Sequence, residues 1–198
     1  MTTPIPSLVL ASASPRRRQL LAEHSYRAEI LPANVEESTD PDLSVPDLVR
    51  LNALLKSAAL WPHRPRAVVL GTDTLVCLDG QALGKPADLR EAADMLSRLA
   101  GRSHEVYSGV CLALPAQGRV VCFVEETRVK FHPLDAAGID AYLRLIDPLD
   151  KAGGYAAQEH GERIIAAYEG SWTNVLGLPM ERLGATLAGE FDIRPAGR

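Results

Sequence analysis

The first strongly apolar run of the chain is Leu8-Val9-Leu10-Ala11, long enough for a buried strand. Small residues, Ser12, Ala13 and Ser14, interrupt it, and Pro15 follows. Ser before Pro predicts a helix starting here, with Ser14 as N-cap, Pro15 in the first turn, and Leu20 and Leu21 on its apolar face. A short strand is expected at Arg27–Leu31, then a polar loop over 32–42. Val49, Leu51, Leu54, Leu55 and Leu60 recur at helical spacing, predicting a helix capped by Asp47 and ended by Pro62 and Pro65. Ala67–Leu70 reads as a buried strand running through Gly71-Thr72-Asp73-Thr74 into LVCL. Asp79-Gly80 signals a hairpin with QAL as the return strand. A helix over Leu89–Leu99 stops at Gly101.

Two strands, Glu105–Leu114 and Arg119–Phe131, follow around a Pro-Ala-Gln-Gly turn. In the second, Thr127, Val129 and Phe131 alternate with Glu126, Arg128 and Lys130, which predicts one wet face. A helix over Asp135–Leu145, a loop over Pro148–Gln158 and a strand over Arg163–Tyr168 come next. A glycine-containing turn over Gly170–Leu178, a helix over Pro179–Ala188 and a frayed tail complete the chain. Strands and helices alternating in this way predict an α/β fold, a mixed twisted sheet flanked by helices. The hairpins in the middle suggest a second lobe, and so an elongated body with a central cleft, within one domain of 198 residues.

A net charge of -4 argues against a general nucleic-acid or membrane-surface binder. No apolar run approaches a membrane span, and MTTPIPS lacks the basic start of a secretion signal, so a cytoplasmic protein is expected. Cys77, Cys111 and Cys122 are odd in number and lie in apolar stretches, which predicts buried free thiols without a disulfide or zinc site.

Arg16, Arg17 and Arg18 stand where a helix favours acidic residues, and the conflict disappears if an anion sits at that helix start. Asp73 interrupts an apolar segment; it reads as a general base, a metal ligand or a turn carboxylate bonding nearby N–H groups. Lys85, after Gly84, could reach a phosphate, but the GQALGK run is one residue short of a P-loop. Glu36, Glu37 and Lys56 are unremarkable alone; beside a phosphate, carboxylates would hold a hard divalent cation. Gly153 and Gly154 allow close backbone approach to a ligand, to which Tyr155 and Gln158 could offer a ring and an amide.

Together, ASASPRRRQLL (11–21), VEES (35–38), Lys56 in LLKSA, GTDTLV (71–76), LGKP (83–86), HEVYSGV (104–110), DKAGGYAAQ (150–158) and NVLGLP (174–179) resemble the Maf family of nucleoside triphosphate pyrophosphatases. The resemblance implies a fold like that of inosine triphosphate pyrophosphatases. It implies hydrolysis of a nucleoside triphosphate to the monophosphate and pyrophosphate, with Mg²⁺ or Mn²⁺. Asp73 would accept the proton of water. Glu37, rather than Glu36, would join Asp73 at the metal. Ser12, Arg16, Arg17, Lys56 and Lys85 would contact phosphates. Arg16, Thr74 and Gln158 match positions that mark the branch acting on dTTP and UTP. GGYAAQE stands where the family commonly shows GAYGIQG, so Ala156 and Glu159 replace glycines. The competing reading is a nucleotide-binding regulator of septation that turns nothing over. The partner expected is the nucleotide, with neither nucleic acid nor membrane, and with room for a homodimer.

Overall fold

The computed structural model describes residues 5–197; the stretch read above for a leader begins outside them, and Arg198 also lies outside. Three short apolar runs pair in parallel: β1 (Leu8–Leu10) lies between β2 (Ala28–Ile30) and the first residues of β3 (Val68–Leu78). The rest of the sheet is antiparallel: β4 (Gln81–Leu83) and β5 (Ser103–Leu114) flank β3, then β6 (Arg119–Phe131) and β7 (Ile165–Glu169) follow. The order is β2-β1-β3-β5-β6-β7, with β4 on β3. Six α-helices complete these residues: α1 (Pro15–Glu23), α2 (Val45–Ala58), α3 (Leu89–Leu99), α4 (Ala136–Leu143), α5 (Trp172–Val175) and α6 (Met180–Phe191). The expected mixed sheet flanked by helices is present. The hairpins stay within one continuous sheet, which carries two large apolar cores and a smaller third cluster of Val9, Ala11, Leu60, Ala67 and Val69. One large core gathers Leu10, Leu21, Leu70, Leu112 and Leu183; the other gathers Leu78, Leu96, Val106, Phe131 and Ile164. β3 and β5 contribute to both, so their middle residues lie between the two cores. No helix among the described residues is long and apolar enough to cross a membrane.

α2 begins two residues before the Asp47 cap read from the sequence. Ser44 is the N-cap, its hydroxyl accepting from the Asp47 N–H at 3.3 Å and donating to the Asp47 carboxylate at 2.6 Å. Asp47 therefore sits in the first turn, where its charge opposes the helix dipole favourably. The buried stripe of α2 runs Val45, Leu48, Val49, Asn52, Ala53, Lys56, Ser57, so three polar side chains share its apolar face. That face lies directly on the sheet. A Cβ on Gly71 would stand 2.1 Å from the Ala53 carbonyl, and one on Gly109 would stand 2.1 Å from that of Val49. Glycine at both positions lets the helix backbone touch the strands.

The three cysteines are free thiols as expected, Cys122 only partly buried, and the β5–β6 register sets Cys111 and Cys122 opposite each other with their sulfurs 2.7 Å apart. The tail is not frayed at its start, because Ile193 packs into the core and the Ala196 N–H donates to the Ser25 carbonyl at 2.8 Å. Within the glycine-containing turn, Ser171 caps the one-turn helix α5 by accepting from the Asn174 N–H. The alternation in β6 is as expected: Thr127, Val129 and Phe131 are buried while Glu126, Arg128 and Lys130 are exposed.

His104, fully buried in the second core, lies edge-on to Phe131, with Nε2 3.0 Å from the Tyr155 hydroxyl. Burial pulls its pKa down from 6.5 to about 4. Below pH 6.5 the unfolded chain takes up a proton that the folded chain refuses until about pH 4. Stability is thus expected to fall as pH drops through that window, by up to about 3 kcal/mol. Denaturant titrations at pH 7 and pH 4.5 should show this slope in the wild type and a shallower one in His104→Phe.

Candidate active site

The helix start that the arginines made suspicious is built as a cationic corner. Ser14 makes no side-chain cap bond; its own N–H donates to the Ser12 hydroxyl at 3.2 Å. Arg17 is bound on every side. Its Nε donates to the Gly177 carbonyl (2.9 Å), Nη1 to the Ser12 hydroxyl (3.2 Å) and the Thr72 carbonyl (3.1 Å), and Nη2 to the Thr74 hydroxyl (3.0 Å). That engages four of the five N–H donors of a guanidinium. Arg17 therefore brings a fixed positive charge to the site with one N–H to spare. Burial pulls its pKa below the usual value, opposed by the carboxylates of Asp73 and Glu37. Arg16 has a buried Nε with no partner; burial lowers its pKa too, against Asp150 and Glu159. Two desolvated guanidiniums side by side favour an anion between them and the helix start. Arg18 is exposed.

Asp73 lies in mid-β3, on the face turned to α2, and is 6% exposed. Its Oδ1 accepts from Lys56 Nζ at 2.7 Å and its Oδ2 from Asn52 Nδ2 at 3.3 Å. This is a buried, paired carboxylate and not a turn residue. Lys56 Nζ also stands 2.7 Å from Glu37 Oε1, so one ammonium bridges two carboxylates. The strand period of two splits the neighbours: Asp73 faces α2, while the Thr74 hydroxyl faces Arg17 and lies 2.8 Å from that of Ser108.

Both sets of side chains border one cavity of about 790 Å³, within the range of small-molecule sites. Of the residues singled out in the sequence, Arg16, Arg17, Glu37, Lys56, Asp73, Thr74, Lys85 and Gln158 line it. Ser12 stands behind Arg17 and does not line the cavity. Lys85 is exposed at the edge, with no ion-pair partner among the described residues. Gln158 is exposed, its amide Nε2 donating to Glu159 Oε1 at 3.0 Å. Glu36 is exposed and does not line the cavity.

The double glycine serves the protein itself. With φ of +71° and +70°, Gly153 and Gly154 press against Val76 and Ala92, and added Cβ atoms would come within 3.1 and 3.3 Å of them. Tyr155 borders the cavity, yet its hydroxyl is turned into the core toward His104. Asn52, Ser38 and Gly177 belong to the site without having been read from the sequence. Asn52 had a signal, since it precedes Lys56 by one helical turn on an otherwise apolar stripe; Gly177 was marked only by lying in the NVLGLP run. Among the described residues no group of three or more His, Cys, Asp or Glu could hold a metal ion.

A family profile described as Maf-like protein matches residues 7–190. The chain is 42% identical over 186 residues to a dTTP/UTP pyrophosphatase of Bacillus cereus (strain Q1), covering 94% of this chain and 96% of that one. It is 40% identical over 187 residues to a dTTP/UTP pyrophosphatase of Bacillus velezensis, covering 94% and 97%. One of Pelotomaculum thermopropionicum is 42% identical over 180 residues, covering 91% and 94%. Among solved structures, the Staphylococcus aureus Ham1 protein superposes with a TM-score of 0.54 over 93% of this chain and 99% of that one, at 15% identity. That is a likeness of fold.

Proposed function

The chain belongs to the family of Maf-like proteins, and on that premise we propose that it hydrolyses pyrimidine nucleoside triphosphates, dTTP and UTP, to the monophosphate and pyrophosphate. The observation that carries this reading is the position of Asp73: a buried carboxylate, held by Lys56 and Asn52, in the wall of a cavity that the arginine-bearing helix start also lines. Water attacks the α-phosphorus, the bond to the β-phosphate oxygen breaks, and the water proton passes to Asp73. Arg16, Arg17, Lys56 and Lys85 neutralise the negative charge that grows on the phosphate oxygens. Arg17 does so from a fixed place, because its hydrogen bonds already lock it. Such preorganised charge stabilises a transition state without reorganising during the reaction.

Glu37 and Asp73 converge on one point, held by Lys56 Nζ. Two hard oxygen donors suit Mg²⁺ or Mn²⁺, which bind commonly through one or two carboxylates with phosphate oxygens completing the set. These two residues would hold the cation, which when bound supplies further charge neutralisation at the phosphates.

Gln158 supports the choice of base. The Glu159 carboxylate can only accept, so the Gln158 amide turns its N–H toward it and keeps Oε1 as an acceptor. The N3–H of uracil or thymine is a donor that fits such an acceptor; N3 of cytosine is not.

The test is to incubate the protein with dTTP, UTP and CTP, with Mg²⁺ or Mn²⁺, and identify the products. Monophosphate and pyrophosphate, with CTP cleaved more slowly, are expected. Release of orthophosphate overturns the reading, and tight nucleotide binding without turnover supports the regulator instead.

A further inference from the structure

Asn52 is 2% exposed on the apolar stripe of α2, yet its amide is spoken for at both ends. Oδ1 accepts from the Ser38 N–H at 2.7 Å; Nδ2 donates to the Ser38 carbonyl at 3.1 Å and to Asp73 Oδ2 at 3.3 Å. The reciprocal pair with Ser38 grips the backbone next to Glu37, in a loop that lacks regular secondary structure. The third bond reaches the carboxylate at the centre of the site. Lys56, one helical turn on, joins the same two places by charge, 2.7 Å from Glu37 and from Asp73. An ammonium on a flexible stem can follow a carboxylate that shifts. A planar amide with three bonds and little exposed surface cannot.

We infer that Asn52 is a positioning residue for the hydrolysis, fixing the Asp73 carboxylate in its plane and fastening the Glu37 loop above it. The inference rests on the reaction proposed above. A leucine would fill the same space among Leu48 and Val49, but it would leave the Ser38 N–H and carbonyl and Asp73 Oδ2 without their partner. A displacement of about 1 Å in a reacting group can cost on the order of 100-fold in rate. An effect of that kind falls on kcat: Asn52 borders the cavity, but its amide is committed to Ser38 and Asp73, so its loss is expected to leave substrate affinity largely intact.

The experiment compares the full-length wild type with Asn52→Leu and Asn52→Asp, by steady-state pyrophosphate release from dTTP and by hydrogen exchange across residues 36–40. Asn52→Leu is expected to lower kcat by about 10- to 100-fold with KM within about threefold, and to speed exchange at the Ser38 amide. Asn52→Asp keeps the acceptor for the Ser38 N–H but sets a second carboxylate against Asp73. It should therefore keep Ser38 protected and still lose kcat; it also provides the test if the leucine variant does not fold. A folded Asn52→Leu with wild-type kcat overturns the inference, as does one whose only change is a raised KM. If the wild type itself releases no pyrophosphate, the proposed reaction fails. The Ser38 exchange comparison then still decides whether Asn52 fastens the loop: unchanged exchange in Asn52→Leu refutes it.

Discussion

Asp73→Asn is expected to lower kcat for pyrophosphate release by about 10²- to 10⁴-fold, the usual loss when a general base is removed. KM should change far less. The substitution is close to isosteric, so β3 and α2 keep their packing. Lys56 loses a charged partner in Asp73 but still has Glu37 at 2.7 Å. Breaking a buried ion pair from one side costs about 3–5 kcal/mol when the remaining charge is left alone. Here it is not left alone, so the variant should stay folded, and thermal unfolding run beside the kinetics will show it. A folded Asp73→Asn protein with full activity would remove Asp73 from the chemistry and require another acceptor for the water proton.

Gly109→Ala is expected to be worse for the protein as a whole. The new Cβ would lie 2.1 Å from the Val49 carbonyl oxygen, 2.4 Å from its carbon and 2.7 Å from the Arg50 nitrogen. All three are backbone atoms of α2, so no side-chain rotation relieves the clash. Either the helix lifts from the sheet or the protein unfolds. A loss of about 4 kcal/mol or more belongs to this class of overpacking, and each kcal/mol lowers the melting temperature by roughly 2–4 °C in a chain of this size. Any soluble fraction should have lost activity as well, because lifting α2 carries Asn52 and Lys56 away from Asp73. Gly189→Ala is the control. Its Cβ meets nothing within 4 Å, and glycine-to-alanine in an exposed helix stabilises by up to about 1 kcal/mol. Denaturant midpoints of the two variants should therefore move in opposite directions.

Features set by local chemistry were legible in the sequence. The Ser-Pro helix start, the Asp79-Gly80 turn and the Gly101 stop each depend on residues within a few positions. The alternation along β6 reports its own wet and dry faces. The Ser44 cap was missed because Asp47 is an equally good cap by type, and only the backbone decides between them. The Cys111–Cys122 contact was missed because it depends on strand register, which no single strand reveals. In the site, the arginines and Asp73 stood out against their surroundings, while Glu37 and Lys56 gained meaning only beside a phosphate. Asn52 did not stand out, because a lone amide on a helix looks like ordinary surface until its neighbours along the stripe prove buried. Gly177 takes part through a backbone carbonyl, a contact that composition does not announce, and Ser12, expected at a phosphate, accepts from Arg17 instead. The double glycine misled for another reason: its close approach is real, but to Val76 and Ala92 rather than to a ligand.

The bond from Arg17 Nε to the Gly177 carbonyl joins positions 160 residues apart. A nascent chain on the ribosome has made the arginine long before it has made the acceptor that locks it. The same guanidinium also waits for Thr72 and Thr74. The guanidinium is thus fully held only once the C-terminal segment has docked, and a chain clipped before Gly177 would keep its cations without the latch that aims one of them.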